Sequence, residues 1–364
     1  MLRKFLTLAI IVAPFSTVFS QDSTASAPAE PAKGELKFSG YVDAYYRYNF
    51  ANPKNAVDDD GNHVFNNLTS FTNSQNSFEL GMASLRADYT KGKIAATLDL
   101  GFGRRATEFS YAESGILSAI KQAYVSYSPS DKVKFTMGKW GTHVGYELLD
   151  PQLNRNYSMS YMFSYGPFSH TGIKADFVLA NHVGLMVGVA NPTDNISASF
   201  AKKNFLAQFS TTFDKFSAFL NYVGGKDLSN GMGNQLGLTA TGKISDKFSL
   251  GYDGTFKSYK PEGGESATWW GSALYVNVDP SDKFGLTLRG EYFDDKKMVT
   301  GYVNTSVFAT TLSLNIKPTS NIIIIPEFRL DSAKDPIFYK KDDSFESPSA
   351  KSAGSFILAA IVYF

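Results

Sequence analysis

The chain has 364 residues and no cysteine. That absence excludes a disulfide framework, a thiol nucleophile, a zinc–thiolate site and a lipid-modified cysteine anchor. Histidine is scarce: only His63, His143, His170 and His182 are present. No charge of one sign dominates, with 35 Lys and Arg against 34 Asp and Glu, so no electrostatic case exists for a nucleic-acid partner. Beyond the first residues no run of ~20 apolar side chains occurs, which excludes a spanning helix there. The mean hydropathy of −0.17 on its own suggests a soluble protein. That inference fails if strands alternate in a membrane, because half of each strand is then polar. What is abundant is aromatic: 30 Phe and 20 Tyr.

Arg3 and Lys4 precede an apolar stretch from Phe5 to about Val18, followed by "VFSQ" with small residues before a cut after Ser20. Residues 1–20 therefore read as a secretory signal peptide. Residues 21–34, "QDSTASAPAEPAKG", lack apolar mass to pack and read as a disordered periplasmic linker.

From Glu35 onward the pattern changes. In "ELKFSGYVDAYYRYNF" one face carries Leu36, Phe38, Val42, Tyr46, Tyr48 and Phe50, and the other Lys37, Ser39, Asp43, Arg47 and Asn49. A period of two separates these sets onto opposite faces of a strand. An apolar band with aromatics at its ends suits a lipid-facing surface. A run this long also exceeds the about five or six residues of an ordinary strand. Sixteen such segments follow one another to Phe364, with no convincing amphipathic helix. In "NIIIIPEFRL" the alternation is hidden, and Pro326 suggests a bulge or irregular site.

The connections alternate in length. Long ones cover about 51–76, 104–117, 141–169, 192–203, 225–233, 259–268, 294–304 and 332–352, and between them stand short turns such as "TKG", "SPSDK", "ANH", "SDK" and "DPSDK". Sandwich loops vary without parity. Parity follows if the short turns lie on one side of a membrane and the long loops on the other. The expected fold is thus all-β: a transmembrane antiparallel β-barrel of about sixteen strands over residues 35–364, with short periplasmic turns and long extracellular loops. The recurring "SDK" phrase marks several of the turns. The last segment, "SFILAAIVYF", alternates and stops at Phe364. By resemblance to bacterial outer-membrane proteins, a terminal aromatic is the signal read by the barrel-assembly machinery.

From Gly138 the chain reads "GKWGTHVGYELLDPQLNRNYSMSYMFSYGPFSHTGIKADF". Its "GK…GYE…NYS.SY.F..GP..HTG" run resembles the OmpL-like β-barrel porin family, most specifically across the third long loop and its flanking strands. The resemblance implies the bacterial outer membrane and a porin, with no common catalytic motif. It supplies a class of function, not a substrate. In porins generally, again by resemblance, the third loop folds inward and narrows the channel.

A barrel of about sixteen strands is too wide for side chains to fill, and residues 21–34 are too short for a separate plug domain, so a water-filled channel is expected. Its inner wall would carry Lys37, Asp43, Arg47, Arg86, Asp88, Asp99, Lys174, Asp176, Arg289, Glu291, Glu327 and Arg329. The third loop, about 141–169, is the expected constriction, carrying Glu147, Asp150, Arg155 and His143. Acidic groups facing basic ones there would select by charge and size. Its aromatics, Tyr146, Tyr157, Tyr161, Phe163, Tyr165 and Phe168, fit either a sugar path or the loop's own small core. No cofactor is expected. Asp58, Asp60 and Asn62 in "DDDGNH" space oxygen ligands as calcium loops do, but the closing Glu and flanking helices are missing, and a solvated acidic loop is the better reading. "GFGRRA" has no following helix to hold a phosphate.

The reading is a non-enzymatic porin passing small hydrophilic solutes, with outer-membrane lipid as its surroundings and trimerisation left open. The rivals are an adhesion, binding or structural barrel working through its outer loops, and a barrel-embedded hydrolase. For the latter, His143, Asp150 and His170 share one region, yet no nucleophile stands at recognisable spacing from a base.

Overall fold

The computed structural model describes residues 33–364. The leader and nearly all of the linker expected from the sequence lie outside these residues. Sixteen antiparallel strands close into one barrel. They are β1 Glu35–Asn49, β2 Ser77–Lys91, β3 Ile94–Phe102, β4 Ile120–Ser130, β5 Val133–Gly141, β6 Ser169–Ala180, β7 Val183–Ala190 and β8 Asn204–Thr212, then β9 Phe216–Lys226, β10 Met232–Ser245, β11 Phe248–Lys260, β12 Ala267–Ser281, β13 Phe284–Asp294, β14 Ser306–Ile316, β15 Ile322–Ala333 and β16 Ser352–Tyr363. Two short helices, α1 (Arg104–Phe109) and α2 (Tyr161–Ser164), sit in the second and third long connections.

Every strand pairs with its chain neighbours, and β1 closes on β16 from Tyr41↔Tyr363 to Asn49↔Ser355. The final residue completes the seam: Gly40 N–H donates to the Phe364 carbonyl at 3.1 Å, and Phe364 N–H donates back at 3.0 Å. Closure leaves no strand edge unpaired, the condition for a sheet to stand in hydrocarbon.

The alternation decides what each face meets. On β13, Phe284, Leu286 and Leu288 are exposed on the outside, while Thr287, Arg289 and Glu291 are buried within. Aromatics collect on the outer face toward the long loops, where Tyr46 lies 4.9 Å from Phe78, Trp270 5.2 Å from Tyr292, and Phe328 5.0 Å from Phe356, ring centre to ring centre. At the other end of the barrel Phe38, Phe135, Phe216 and Phe284 are exposed. These are the two amphipathic belts of a membrane surface.

Pro326 disturbs the sheet less than its sequence context suggests. It faces Leu358 in unbroken register with β16. Toward β14 the ladder lapses between Ser313↔Glu327 and Ile316↔Ile324 without changing register. A missing N–H costs a bond there but adds no residue, so no bulge forms. True register shifts occur at Asp43/Ala44 between β1 and β2 and at Asp99/Leu100 between β3 and β4.

Candidate functional site: a loop stapled across the lumen

The inner wall carries its charges at mid-barrel because the polar positions of β1, β11, β13 and β15 all point inward. Asp43, Asp253, Arg289, Glu291, Glu327 and Arg329 are all at most 5 % exposed. Charges so enclosed require partners, and the third long loop (142–168) supplies most of them.

The loop leaves β5 and crosses the barrel. Tyr146 N–H donates to Asp253 at 3.1 Å. Glu147 forms an ion pair with Arg289 and accepts from Tyr275 O–H at 3.1 Å and Ser160 N–H at 2.7 Å. Asp150 reaches Lys121 on β4 at 2.7 Å and accepts from Tyr41 O–H at 3.0 Å. The chain then turns back. Arg155 makes a two-pronged pair with Asp279 (3.0 and 2.6 Å) and donates to Thr287 at 2.7 Å. Tyr157 and Ser158 give both their N–H groups to Glu327, at 2.7 and 3.0 Å, and Tyr157 O–H donates to Asp43 at 2.5 Å. Arg289 and Arg329 donate to the loop carbonyls of Ser158 and Met159, at 2.8 and 2.6 Å. Met162 N–H donates to Glu291 at 3.1 Å. The irregular backbone of the loop thus finds partners in the wall, as buried backbone must.

Two glycines make room for these contacts. A Cβ on Gly81 would lie 2.0 Å from Asp43 Oδ2, and one on Gly285 would lie 2.6 Å from Asp279 Oδ1 and 2.8 Å from Arg155 Nη2. The carboxylates can therefore approach the sheet backbone only where no side chain stands.

The sequence-derived candidates fall into three groups. Asp43, Arg47, Asp99, Glu147, Arg289, Glu291, Glu327 and Arg329 are buried in the docking network, together with Asp150 and Arg155. Arg47 donates to the carbonyls of Phe65, Asn66 and Ser74 in the first loop. Arg86, Asp88, Lys174 and Asp176 lie on the wall and bond to one another rather than to the loop, as the pairs Arg86–Asp88 (2.7 Å) and Lys174–Asp176 (3.4 Å), with side chains between 21 % and 35 % exposed. Lys37 pairs with Glu35 at 3.1 Å near the short-turn end. Glu147, Asp150 and Arg155 are joined to wall residues rather than standing opposite one another across a gap. Of the loop aromatics, Tyr157, Tyr161, Phe163 and Phe168 are at most 5 % exposed; Phe163 and Phe168 pack with Phe71 and Phe109, Tyr157 with Tyr45 and Ile325, and Tyr161 with Trp269 and Phe293.

Four charged network members are missing from the sequence reading: Asp253, Asp279, Lys121 and Arg105. Lys121 bridges Asp99 and Asp150, but it lies beside the register shift of β3 and β4, where alternation misassigns the face. Arg105 is fully buried and sits 5.0 Å from the Phe71 ring and 4.9 Å from the Tyr157 ring. It belongs to "GFGRRA", where, against the expectation from the sequence, a short helix does follow the glycines: α1 begins at Arg104 and buries Arg105.

Asp58 is committed to its own turn, accepting from the N–H groups of Asp60 (3.1 Å) and Asn62 (2.7 Å) and from the Asn62 amide (3.2 Å). Among the described residues no cluster of three His, Asp or Glu side chains could hold a metal ion. His143 and His170 pack ring to ring at 5.2 Å. His143 Nε2–H donates to the Tyr222 carbonyl at 3.1 Å, His170 Nε2 contacts the Thr142 hydroxyl at 3.2 Å, and Asp150 is turned to Lys121. No His–Asp relay is assembled.

The family model described as "Putative beta-barrel porin-2, OmpL-like" matches residues 35–364. The chain belongs to this porin family. It is accordingly an outer-membrane barrel of the porin type, located in the bacterial outer membrane. No curated protein sequence matches this porin. Solved structures share its fold at low identity. The anion-selective porin from Comamonas acidovorans aligns with TM-score 0.62 at 12% identity, over 91% of this chain and 100% of that one. The outer membrane channel DcaP of Acinetobacter baumannii aligns with TM-score 0.61 at 14% identity, over 91% and 97%. OmpT of Vibrio cholerae, in its trimer form, aligns with TM-score 0.58 at 13% identity, over 91% and 99%.

The root of the porin's third loop is sensitive to acid. Enclosure of the His143 ring, with Lys174 adding repulsion, pushes its pKa down to about 4, while Nδ1 is buried without a partner. The unfolded imidazole binds protons below about pH 6.5, so between that pH and about 4 the unfolded state holds more protons and stability falls as pH falls. At pH 5 the loss from this group is about 2 kcal/mol. Urea unfolding at pH 7.5 and pH 5 should show this slope, and His143→Gln should reduce it, with the adjoining buried His170 left in place. An unchanged slope in the variant would assign the acid sensitivity elsewhere. At the other root, burial raises Asp194 to about 6, although it accepts from the N–H groups of Phe168 and Ser169 and from Tyr111 O–H.

Proposed function

We propose that this porin is a passive diffusion channel for small hydrophilic solutes, in which residues 142–168 form the constriction. The observation that carries the reading is a closed barrel whose third loop is held across the lumen by buried polar contacts, while Arg86, Asp88, Lys174 and Asp176 keep side chains 21–35 % exposed on the wall. Solutes pass beside the docked loop. They are sieved by size, and the wall charges bias ion sign. Because the loop charges are paired, they hold the constriction in place, and the partly exposed wall pairs act on the permeating ion. The same reading has residues 1–20 removed as a signal peptide, 21–34 as a periplasmic linker, long loops outside and short turns in the periplasm. Phe364 engages the assembly machinery, no cofactor or nucleic acid takes part, and the barrel carries no catalysis.

Proteoliposome swelling tests the reading. Arabinose, glucose and raffinose should enter at rates that fall with solute size. Folded, inserted protein that admits none of them would overturn it, and interest would pass to the outer loops as a binding surface.

A further inference from the structure

At the long-loop end the barrel encloses a cavity of about 820 Å³, within the ~300–1,000 Å³ of small-molecule sites. Tyr165 and Tyr302 line it, as the outer rungs of a stack of aromatic rings whose inner rungs are buried behind the wall. Tyr161 stacks on Phe293 at 5.4 Å and 21°, Phe293 on Tyr165 at 5.6 Å and 22°, and Tyr165 on Tyr302 at 6.4 Å and 25°. The stack climbs from the buried interior to the mouth, where Tyr302 is 73% exposed. Its upper rungs are fixed in advance. Tyr165 O–H donates to the Leu68 carbonyl at 2.8 Å. The loop bearing Tyr302 is folded around Asp295, which accepts from Val299 N–H at 2.8 Å and Thr300 O–H at 2.5 Å. A rigid aromatic platform loses little entropy when a ligand settles on it.

The polar lining has spare capacity of a particular kind. Gln235, only 3% exposed, lines the cavity, and Asn204, another lining residue, keeps a buried Oδ1 without a partner. Buried amides ordinarily find partners. The carboxylates, by contrast, are committed. Asp194 accepts from two backbone N–H groups and Tyr111, Asp227 from Tyr259 and the N–H groups of Ser229 and Gly231, and Glu108 from Phe71 N–H. With Lys257 as the cation lining the same cavity, an anionic solute meets three carboxylates against one ammonium. A cation meets carboxylates already engaged by their own loops. Lining amides beside an exposed ring suit a neutral ligand with hydroxyls on its edges and C–H groups on its faces.

We propose that this cavity binds short neutral oligosaccharides, one sugar ring stacking on the Tyr302–Tyr165 platform while Gln235 and Asn204 hydrogen-bond to hydroxyls. The proposal rests on the diffusion-channel reading, for which it names the class of solute met at the long-loop mouth.

The test is titration calorimetry of the detergent-folded full barrel with maltotriose, cellotriose and xylotriose, beside bilayer recordings of the same preparation. Saturable binding is expected for at least one sugar. It should weaken about tenfold in Tyr302→Ala, which removes the exposed platform, and in Gln235→Leu, which removes an amide that lines the cavity. Phe345→Ala, exposed in the last long connection, none of whose residues lines the cavity, should bind as the parent does. No saturable heat with any of the three, from protein that still gives channel steps, overturns the site and leaves the channel reading standing. Undiminished affinity in both folded variants overturns its location. Saturable, variant-sensitive binding without channel steps upholds the site and overturns the channel reading instead.

Discussion

Replacing Glu147 with alanine is expected to loosen the third loop and to enlarge and roughen the single-channel current. Glu147 is the counter-charge of a fully buried Arg289 and also the acceptor for Tyr275 O–H and Ser160 N–H. Its loss leaves Arg289 with only neutral oxygens, the carbonyls of Ser158 and Met159 and the Thr311 hydroxyl. Removing one partner of such a pair costs about 3–5 kcal/mol, because the remaining charge stays buried. That cost is borne by the docked loop, which can relieve it by leaving the wall and letting water reach the guanidinium. The barrel strands need not unpair. The double variant Glu147→Ala/Arg289→Ala should therefore be less destabilised than the sum of the two single variants, by about 0.5–3 kcal/mol. Urea unfolding measures the coupling, and bilayer recording measures the current. Wild-type step size in a folded Glu147→Ala variant would show that this pair does not hold the constriction.

The second large effect is expected on the outer face. Leu288→Arg places a guanidinium where β13 meets lipid, and should destabilise the inserted barrel by about 2–4 kcal/mol if the residue lies near the bilayer midplane. Leu286→Arg and Phe284→Arg, stepping toward the short-turn end, should cost progressively less, falling to about 0–1 kcal/mol near the interface. Folding titrations in vesicles would follow the series. A flat profile would mean that this face does not meet hydrocarbon, and would contradict the membrane orientation of the strands.

Much of the architecture is legible before any coordinates. On β1 and β13 the alternation is strict, because each strand divides lipid from lumen, and Asp43, Arg47, Arg289 and Glu291 are buried on the face opposite the exposed apolar side chains, while Lys37 is exposed at the end of β1. The docking network is less legible. Glu147, Asp150 and Arg155 read as charged loop residues, but their partners Arg289, Lys121 and Asp279 stand 142, 29 and 124 positions away, and no periodicity encodes a crossing of the lumen. Alternation also fails at register shifts, which is why Lys121 is missed beside Asp99/Leu100. At Pro326 the opposite error arises: proline predicts an irregular site, yet the strand absorbs it by losing bonds on one side. The loop aromatics read equally as a ligand path or a core. Burial separates them, leaving Tyr157, Tyr161, Phe163 and Phe168 in the core while Tyr165 lines the cavity.

The most direct test of the account is single-channel recording of the refolded wild-type protein in a planar bilayer, with the reversal potential taken under a salt gradient. Stable ohmic steps are expected, with a reversal potential that shifts when Lys174 or Asp176 is neutralised, because those side chains are 21% and 31% exposed. Folded and inserted protein that passes no current would contradict the account at its centre.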